Sequence, residues 1–357
     1  MEFIVQDAIK SAPAADFGHS NVGHATIKVL GIGGGGSNAA SWLHRKGVQG
    51  AEVIVMNSDA QHLGLMSADR KILIGKNLTR GLGCGGYPQK GEECARESIQ
   101  EVRECLKGAD LAFLTAGLGG GTGTGAVPLV AQVAKEMGSI VIGTVTMPFD
   151  IERARIDKAE QGLNQLRQVS DTVIVIDNNK LVQIAGNLPV EQAFAVANEL
   201  ISTMIKGIVE TIAVPSLVNL DYADVKAIMS NGDVSVIGIG ESDSEHRVVE
   251  AVKRALSNPL LEVDYQGATG ALIHISGGND LKLDEVSKIG ELVTETLDAD
   301  ANVIWGARIC PELKGKVRVM TIITGVNSPY ILGKGNARSE AANAKRFTHE
   351  LGIDLVR

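Results

Sequence analysis

Short apolar runs separated by helical stretches constrain the first half of this chain. The runs are ATIKVLGIGG (25–34), AEVIVMNSD (51–59), LAFLTAG (111–117), SIVIGTVTMP (139–148) and DTVIVIDNN (171–179). Between them, SNAASWLHRKG (37–47), GEECARESIQEVRECLKG (91–108) and AVPLVAQVAKEMG (126–138) carry helical periodicity. Strands that are apolar on both faces and alternate with helices predict an α/β fold, a doubly wound, Rossmann-like and mostly parallel sheet.

From Pro189 the alternation stops. PVEQAFAVANELISTMIKGIVETIA (189–213) reads as one long helix, with Pro189 in its first turn and Pro215 past its end. Its length would be roughly 36 Å at 1.5 Å per residue. A different pattern follows: helix DYADVKAIMS, strand VSVIGIGE, helix SEHRVVEAVKRALSN, strand GALIHISG, helix LDEVSKIGELVTETL, then strands ANVIWGARI and KVRVMTIITGV. These predict a smaller α+β domain. The expected organisation is an extension at 1–24, the main sheet domain at 25–188 and a central helix with its following loop at 189–221. The α+β domain spans 222–327, and a flexible linker with a tail peptide spans 328–357.

Two glycine-rich segments interrupt the first half at equivalent places. GIGGGG (31–36) holds G-x-G-x-x-G between a strand and a helix. That context suits a dinucleotide fingerprint, and also a plain tight turn. LGGGTGTG (118–125) follows another strand and opens another helix, with Thr122 and Thr124 adding hydroxyl groups. Bare backbone at a helix N-terminus brings N–H groups close to phosphate oxygens, so the pair predicts two phosphate cradles on one edge of the sheet. A third glycine-rich loop after a strand, GLGCGGYP (81–88), is placed to close over a terminal phosphate.

Several classes are excluded by what is missing. No GxxxxGK[ST] occurs, so the lysine-bearing phosphate loop is absent; NNKL (178–181) lacks the aspartate of an NKxD guanine reader; and no kinase motif set or GxSxG appears. A net charge of −8 leaves no basic footprint for nucleic acid, and 3% aromatic residues argue against stacking platforms for single strands. Cys84, Cys94, Cys105 and Cys310 form no CxxC or zinc spacing and read as reduced thiols. No apolar run is long enough to span a bilayer, which makes the cytoplasm the expected location and excludes direct membrane insertion.

At this point the motifs resemble a known family. GGGTGTG (119–125) is similar to the signature of the tubulin/FtsZ GTPases, and the match continues in order. GIGGGGSNA (31–39), NSDAQ (57–61), GLGCGGYP (81–88), TMPF (146–149), NNKL (178–181), AFAVANE (193–199) and NLDYADV (219–225) all follow the family pattern. The resemblance covers about residues 26–327. Within the family it is closer to FtsZ than to eukaryotic tubulin, and closest to the archaeal second-paralogue type.

The resemblance implies GTP or GDP with Mg2+. Phosphates would lie on Gly34, Gly35, Gly36, Ser37 and Asn38, and on Gly120, Gly121, Thr122, Gly123 and Thr124, with Gly85 and Gly86 closing above. Asn57 and Asp59 would sit by the phosphates, Asp59 reaching the metal through water. Asn178 would help hold the base, Phe194 would stack on it and Asn198 would read its edge; the i, i+4 spacing puts the last two on one helix face. Without the resemblance, Phe194 reads equally as core and Asn178 as an Asx turn. The family also has a glutamate after TMPF and an arginine four residues later at the ribose. Glu152 fits, but the fourth residue is Ile156 and Arg155 stands one place earlier.

NLDYADV places Asn219, Asp221 and Asp224 just past the long helix. By itself this reads as helix capping. A straight helix keeps the loop about 25 Å from Asn198, so chemistry by these acids must act on a neighbour's nucleotide. The resemblance implies that arrangement: head-to-tail filaments of a cell-division ring under the membrane, with Asp221 and Asp224 positioning the attacking water and Asn219 orienting it. It also implies a membrane adaptor of SepF type on the tail FTHELGIDLVR, and a second FtsZ paralogue as a further partner. Other readings are a tubulin-like scaffold for shape or partition, and an NAD-dependent oxidoreductase that rests on G-x-G-x-x-G alone.

Overall fold

The apolar runs become strands β1 (Ile27–Ile32), β2 (Ala51–Asn57), β4 (Leu111–Gly117), β5 (Ile140–Met147) and β6 (Thr172–Asp177), with a short edge strand β3 (Arg70–Leu73). This computed structural model describes residues 25–326, apart from 215, 219, 231–234, 258–264, 266 and 299. The strand order is β3-β2-β1-β4-β5-β6, and every neighbouring pair is parallel. That is the doubly wound order, whose direction of growth reverses between β1 and β4. The expected extension at 1–24 and the tail lie outside the described residues.

Helix boundaries differ from the sequence reading in three places. Residues 91–108 are not one helix: Pro88–Glu97 and Ile99–Leu106 meet at Ser98, which leaves helical geometry and accepts the Gly75 N–H on its hydroxyl. Both glycine segments are already helical where a loop was expected, the helices being Gly33–Lys46 and Thr122–Glu136. The first turn of a helix forms no intrahelical N–H bonds, so glycine's weakness as a helix former matters least there. Finally, β3 does not lead directly into GLGCGGYP, because the one-turn helix Lys76–Thr79 comes between.

The long helix spans Val190–Ala213, with Pro189 as its N-cap. Beyond it lie the helix Tyr222–Ser230 and a second sheet of β7 (Ser235–Ser242), β8 (Gly270–Gly277), β9 (Asn302–Ile309) and β10 (Val317–Thr324), ordered β7-β10-β8-β9. Strand β10 runs antiparallel to both neighbours, while β8 and β9 are parallel, as an α+β domain requires. One apolar cluster runs through the molecule. It joins Val29, Phe113 and Ile142 of the first sheet to Ile201, Ile205 and Ile208 of the long helix, and these to Ile237, Leu272 and Ile322 of the second. The long helix is therefore core on both flanks, which holds its two ends at a fixed separation.

Candidate nucleotide site

The glycine segments follow β1 and β4, the adjacent strands at which the sheet order reverses, and Ile32 pairs with Ala116 across the ladder. Ligands in open α/β sheets bind at this crevice, outside the carboxyl ends of the strands. The helices Gly33–Lys46 and Thr122–Glu136 start there side by side, neither with an acidic residue in its first turn. Their positive dipole ends thus face the crevice without an internal counter-charge.

The glycines divide into two groups. A Cβ on Gly36 would run into the Thr115 carbonyl oxygen. One on Gly123 would lie 2.7 Å from the Gly117 carbonyl oxygen, and one on Gly121 would lie 2.7 Å from the Cys84 Cβ. These positions are bare so that helices can pack on strands and loops on each other. A Cβ on Gly34 or Gly120 would meet nothing within 4 Å, so nothing in the chain itself demands glycine there. Both positions are open on the side a Cβ would occupy.

Hydrogen bonds through Ser58 tie the second and third glycine loops together. The Ser58 and Thr122 hydroxyls share a 2.6 Å bond, Ser58 Oγ lies 3.2 Å from the Cys84 Sγ, and the Gly83 N–H donates to the Ser58 carbonyl at 3.1 Å. Thr124 is buried, and its hydroxyl accepts the Gly119 N–H at 2.8 Å, so it supports the loop from beneath. Gly85 and Gly86 adopt positive φ (59° and 79°), a backbone that a side chain would strain. Lys158 donates to the Gly86 carbonyl at 2.8 Å and pins that loop from the neighbouring helix.

Asn57 is 3% exposed at the end of β2, and Asp59 caps the helix Ala60–Leu65 by accepting the His62 N–H at 3.0 Å. His62 is the residue the sequence reading missed. Its Nδ1 accepts from the Asn57 amide at 3.1 Å, and its Nε2 donates to Asn38 Oδ1 at 3.1 Å. One imidazole tautomer thereby aligns an amide from each of two expected phosphate segments. The available signal was its place three residues after the capping Asp59, in the first turn of that helix.

Below the loops opens a cleft of about 740 Å³, walled by Gly35, Asn38 and Trp42 on one side and Phe194, Asn198 and Asn178 on others. Phe194 is not core: it is 44% exposed and meets Phe149 edge to face, with ring centroids 6.0 Å apart. The Asx turn considered for Asn178 is made by Asp177, which accepts the Asn179 N–H at 2.8 Å. Glu152 and Arg155 form an ion pair of 2.6 Å, and the Arg155 backbone packs beside Gly119.

Asp221 and Asp224 stand elsewhere. The Asp224 N–H donates to Asp221 Oδ1 at 2.8 Å and the Asp221 N–H to Asp224 Oδ2 at 3.0 Å, a reciprocal cap on the helix Tyr222–Ser230. Capping is thus one of their roles. Tyr222 donates its hydroxyl to the Asp110 carbonyl at 3.1 Å, just before β4 begins, whereas the cleft lies where β4 ends. The acids therefore lie toward the opposite, amino-terminal ends of the strands. Asn219 lies outside the described residues.

Comparison with known proteins agrees with this geometry. Residues 26–186 match the model of the tubulin/FtsZ family, GTPase domain, and residues 233–327 match that of the FtsZ family, C-terminal domain. The cell division protein FtsZ 2 of Methanocaldococcus jannaschii is 56% identical over 334 residues, 93% of this chain and 88% of the relative. That of Halobacterium salinarum is 49% identical over 352 residues, 97% and 89% of the two chains. A solved empty FtsZ dimer from M. jannaschii superposes with a TM-score of 0.79 at 43% identity, covering 94% of this chain and 98% of that one. With both domains matched, this chain belongs to the tubulin/FtsZ family of GTPases.

Proposed function

We propose that the chain polymerises head to tail into filaments of the cell-division ring and hydrolyses GTP at a site completed by the neighbouring subunit. The observation that carries this reading is the separation of cleft and acids. Both are held by one continuous helix, and about 23 Å of helix axis lies between Asn198 and Ala213 at 1.5 Å per residue. An acid pair that far from its own cleft can act only in another chain's. A head-to-tail contact that does not close produces a filament.

In the proposed site, the N–H groups of residues 34–38 and 120–124 hold the phosphates, with Asn57 and the loop of Gly85 and Gly86 around them. Phe194 stacks on guanine, Asn198 and Asn178 hold its edge, and Glu152 with Arg155 lies toward the ribose. Asp59 uses one carboxylate oxygen as a helix cap, which leaves the other for Mg2+. One carboxylate beside phosphate oxygens is a donor set Mg2+ accepts, and the ion supplies charge neutralisation on the phosphates. Asp221 and Asp224 of the next chain orient and polarise the attacking water, with Asn219 beside them. Positioning and electrostatics of this kind are the main means of catalysing phosphoryl transfer.

The tail would bind a SepF-type membrane adaptor at the division site, and a second FtsZ paralogue would join the same polymer. Support for an adaptor comes from the tail's mixed apolar and charged composition and from the helices: among the described residues, none is long and apolar enough to cross a membrane.

The test is light scattering and phosphate release with GTP, GDP, ATP and NAD across a range of protein concentrations. GTP alone should drive assembly, and turnover per chain should rise once a threshold concentration is passed. Turnover that is independent of concentration would sink the shared site.

A further inference from the structure

Along the first helix, Gly35, Asn38, Trp42 and Arg45 form a stripe at spacings that keep them on one face, and all four line the cleft. The stripe begins at the phosphate cradle. Trp42 lies about 10 Å further along the axis and Arg45 about 15 Å, at 1.5 Å per residue. Across the cleft stand Phe194 and Asn198 of the long helix. We infer that Trp42 and Arg45 form the second wall of the base pocket and that Arg45 selects guanine over adenine. The inference rests on reading the cleft as the nucleotide site, and it adds residues that the family motifs do not name.

The wall is built to keep its shape. Trp42 is half-buried, and its indole N–H donates to Glu199 Oε2 at 2.9 Å. Glu199 is in turn ion-paired with Lys46, whose hydrogen bond holds its carboxyl below the usual carboxylate range. The indole thus keeps a charged acceptor at neutral pH, which fixes the ring plane. Arg45 lies over that ring, 5.5 Å from its centroid, within cation–π range. It donates to Ser41 Oγ at 3.2 Å, and no other described side chain engages its guanidinium.

The chemistry of the two purines supplies the selectivity. Guanine offers two adjacent acceptors, O6 and N7, which match a guanidinium fork. Adenine places its N6 amino donor where guanine has O6, so the same fork meets a donor. Asn198 and Arg45 would then address different edges of one base, with Trp42 keeping the guanidinium flat and in place.

The test uses the full chain, stripped of nucleotide, with Mg2+ present. Calorimetry would measure the binding of GDP, ADP and 7-deaza-GDP, a GDP analogue lacking N7, to wild type and to Arg45→Ala. Wild type should prefer GDP to ADP. Arg45→Ala should weaken GDP about tenfold while leaving ADP unchanged, within the range measured for such bidentate contacts. 7-deaza-GDP should bind wild type more weakly than GDP does, and should lose less than GDP on the substitution. In a Trp305→Phe background, where Trp42 is the one remaining indole, GDP should change its emission. An unchanged GDP-to-ADP ratio in Arg45→Ala, or Trp42 emission insensitive to bound GDP, overturns the inference while the cleft stands. Wild type that binds none of the three overturns the cleft reading itself.

Discussion

The two ends of the long helix are organised in opposite ways. At the cleft end, side chains from separate segments are tied across long stretches of sequence: Ser58 to Thr122, Asn38 to His62, and Lys158 to the Gly86 carbonyl. At the far end, Asp221 and Asp224 are hydrogen-bonded, among the described residues, to each other's backbone through their own turn. The first end is organised around a space that the chain leaves open. The second is a preset pair of carboxylates held by their own turn. On the proposed reading a single chain carries two halves of a site, and the core running along both flanks of the helix keeps them apart.

The sharpest way to break this comparison is Asp221→Asn. Asparagine caps a helix about as well as aspartate, so stability should stay within about 0.5 kcal/mol. GDP affinity should not change, while turnover in assembled filaments falls about a hundredfold or more, as for loss of a group acting on the attacking water. Equal losses of stability and turnover would mean that capping is the whole role of the residue.

At the cleft end, Gly36→Ala and Gly34→Ala should separate by mechanism. The first forces a methyl into the Thr115 carbonyl and should cost about 3 kcal/mol, visible as a clear drop in thermal midpoint. The second has free space within the chain, so the midpoint should hold or rise slightly, while GDP affinity falls about tenfold or more. Matching thermal losses in the two variants would refute the division of the glycines into packing and ligand positions.

Between the ends, acid should loosen the seam with the second sheet. His274 is 6% exposed, its Nδ1 has no hydrogen-bond partner among the described residues, and burial with Arg308 nearby pushes its pKa down to about 4. The folded form thus resists a proton that the unfolded chain takes up near pH 6.5. Stability is fully present above about 6.5 and falls as the pH drops from there toward 4, by at most about 3 kcal/mol. Acid unfolding of wild type and His274→Gln should differ in slope across that window and run parallel above it. Phe194→Ala should also leave stability nearly unchanged. Because the ring is exposed, unfolding should shift by less than about 0.5 kcal/mol. GDP binding should weaken about tenfold, as for loss of one base–aromatic stack.

Much of this was legible in the sequence because it rests on local pattern. Runs apolar on both faces became parallel strands, and the uninterrupted helical stretch after Pro189 became the long helix. The place of both glycine segments, after adjacent parallel strands and opening helices, was readable from their shared context. What stayed hidden depends on distant packing. That Gly36 and Gly123 are bare for the sake of strand carbonyls, while Gly34 is not, needs the folded distances. His62 carries no motif, and its bonds to Asn38 and Asn57 exist only once β1 and β2 lie side by side. The reciprocal cap by Asp221 and Asp224 was foreseen as one of two readings, and local spacing could not rank them.

If the proposed site is divided in this way, its two halves at opposite ends of the strands are genetically separable. A chain blocked at Gly34 keeps its acids, and a chain neutralised at Asp221 keeps its cradle. Each alone would then fill every junction of a filament with a dead pair. Mixed in equal amounts, about a quarter of junctions would join a sound cradle to sound acids, if copies stack at random head to tail. Two inactive proteins would then restore turnover to one another, as only a site divided between molecules allows.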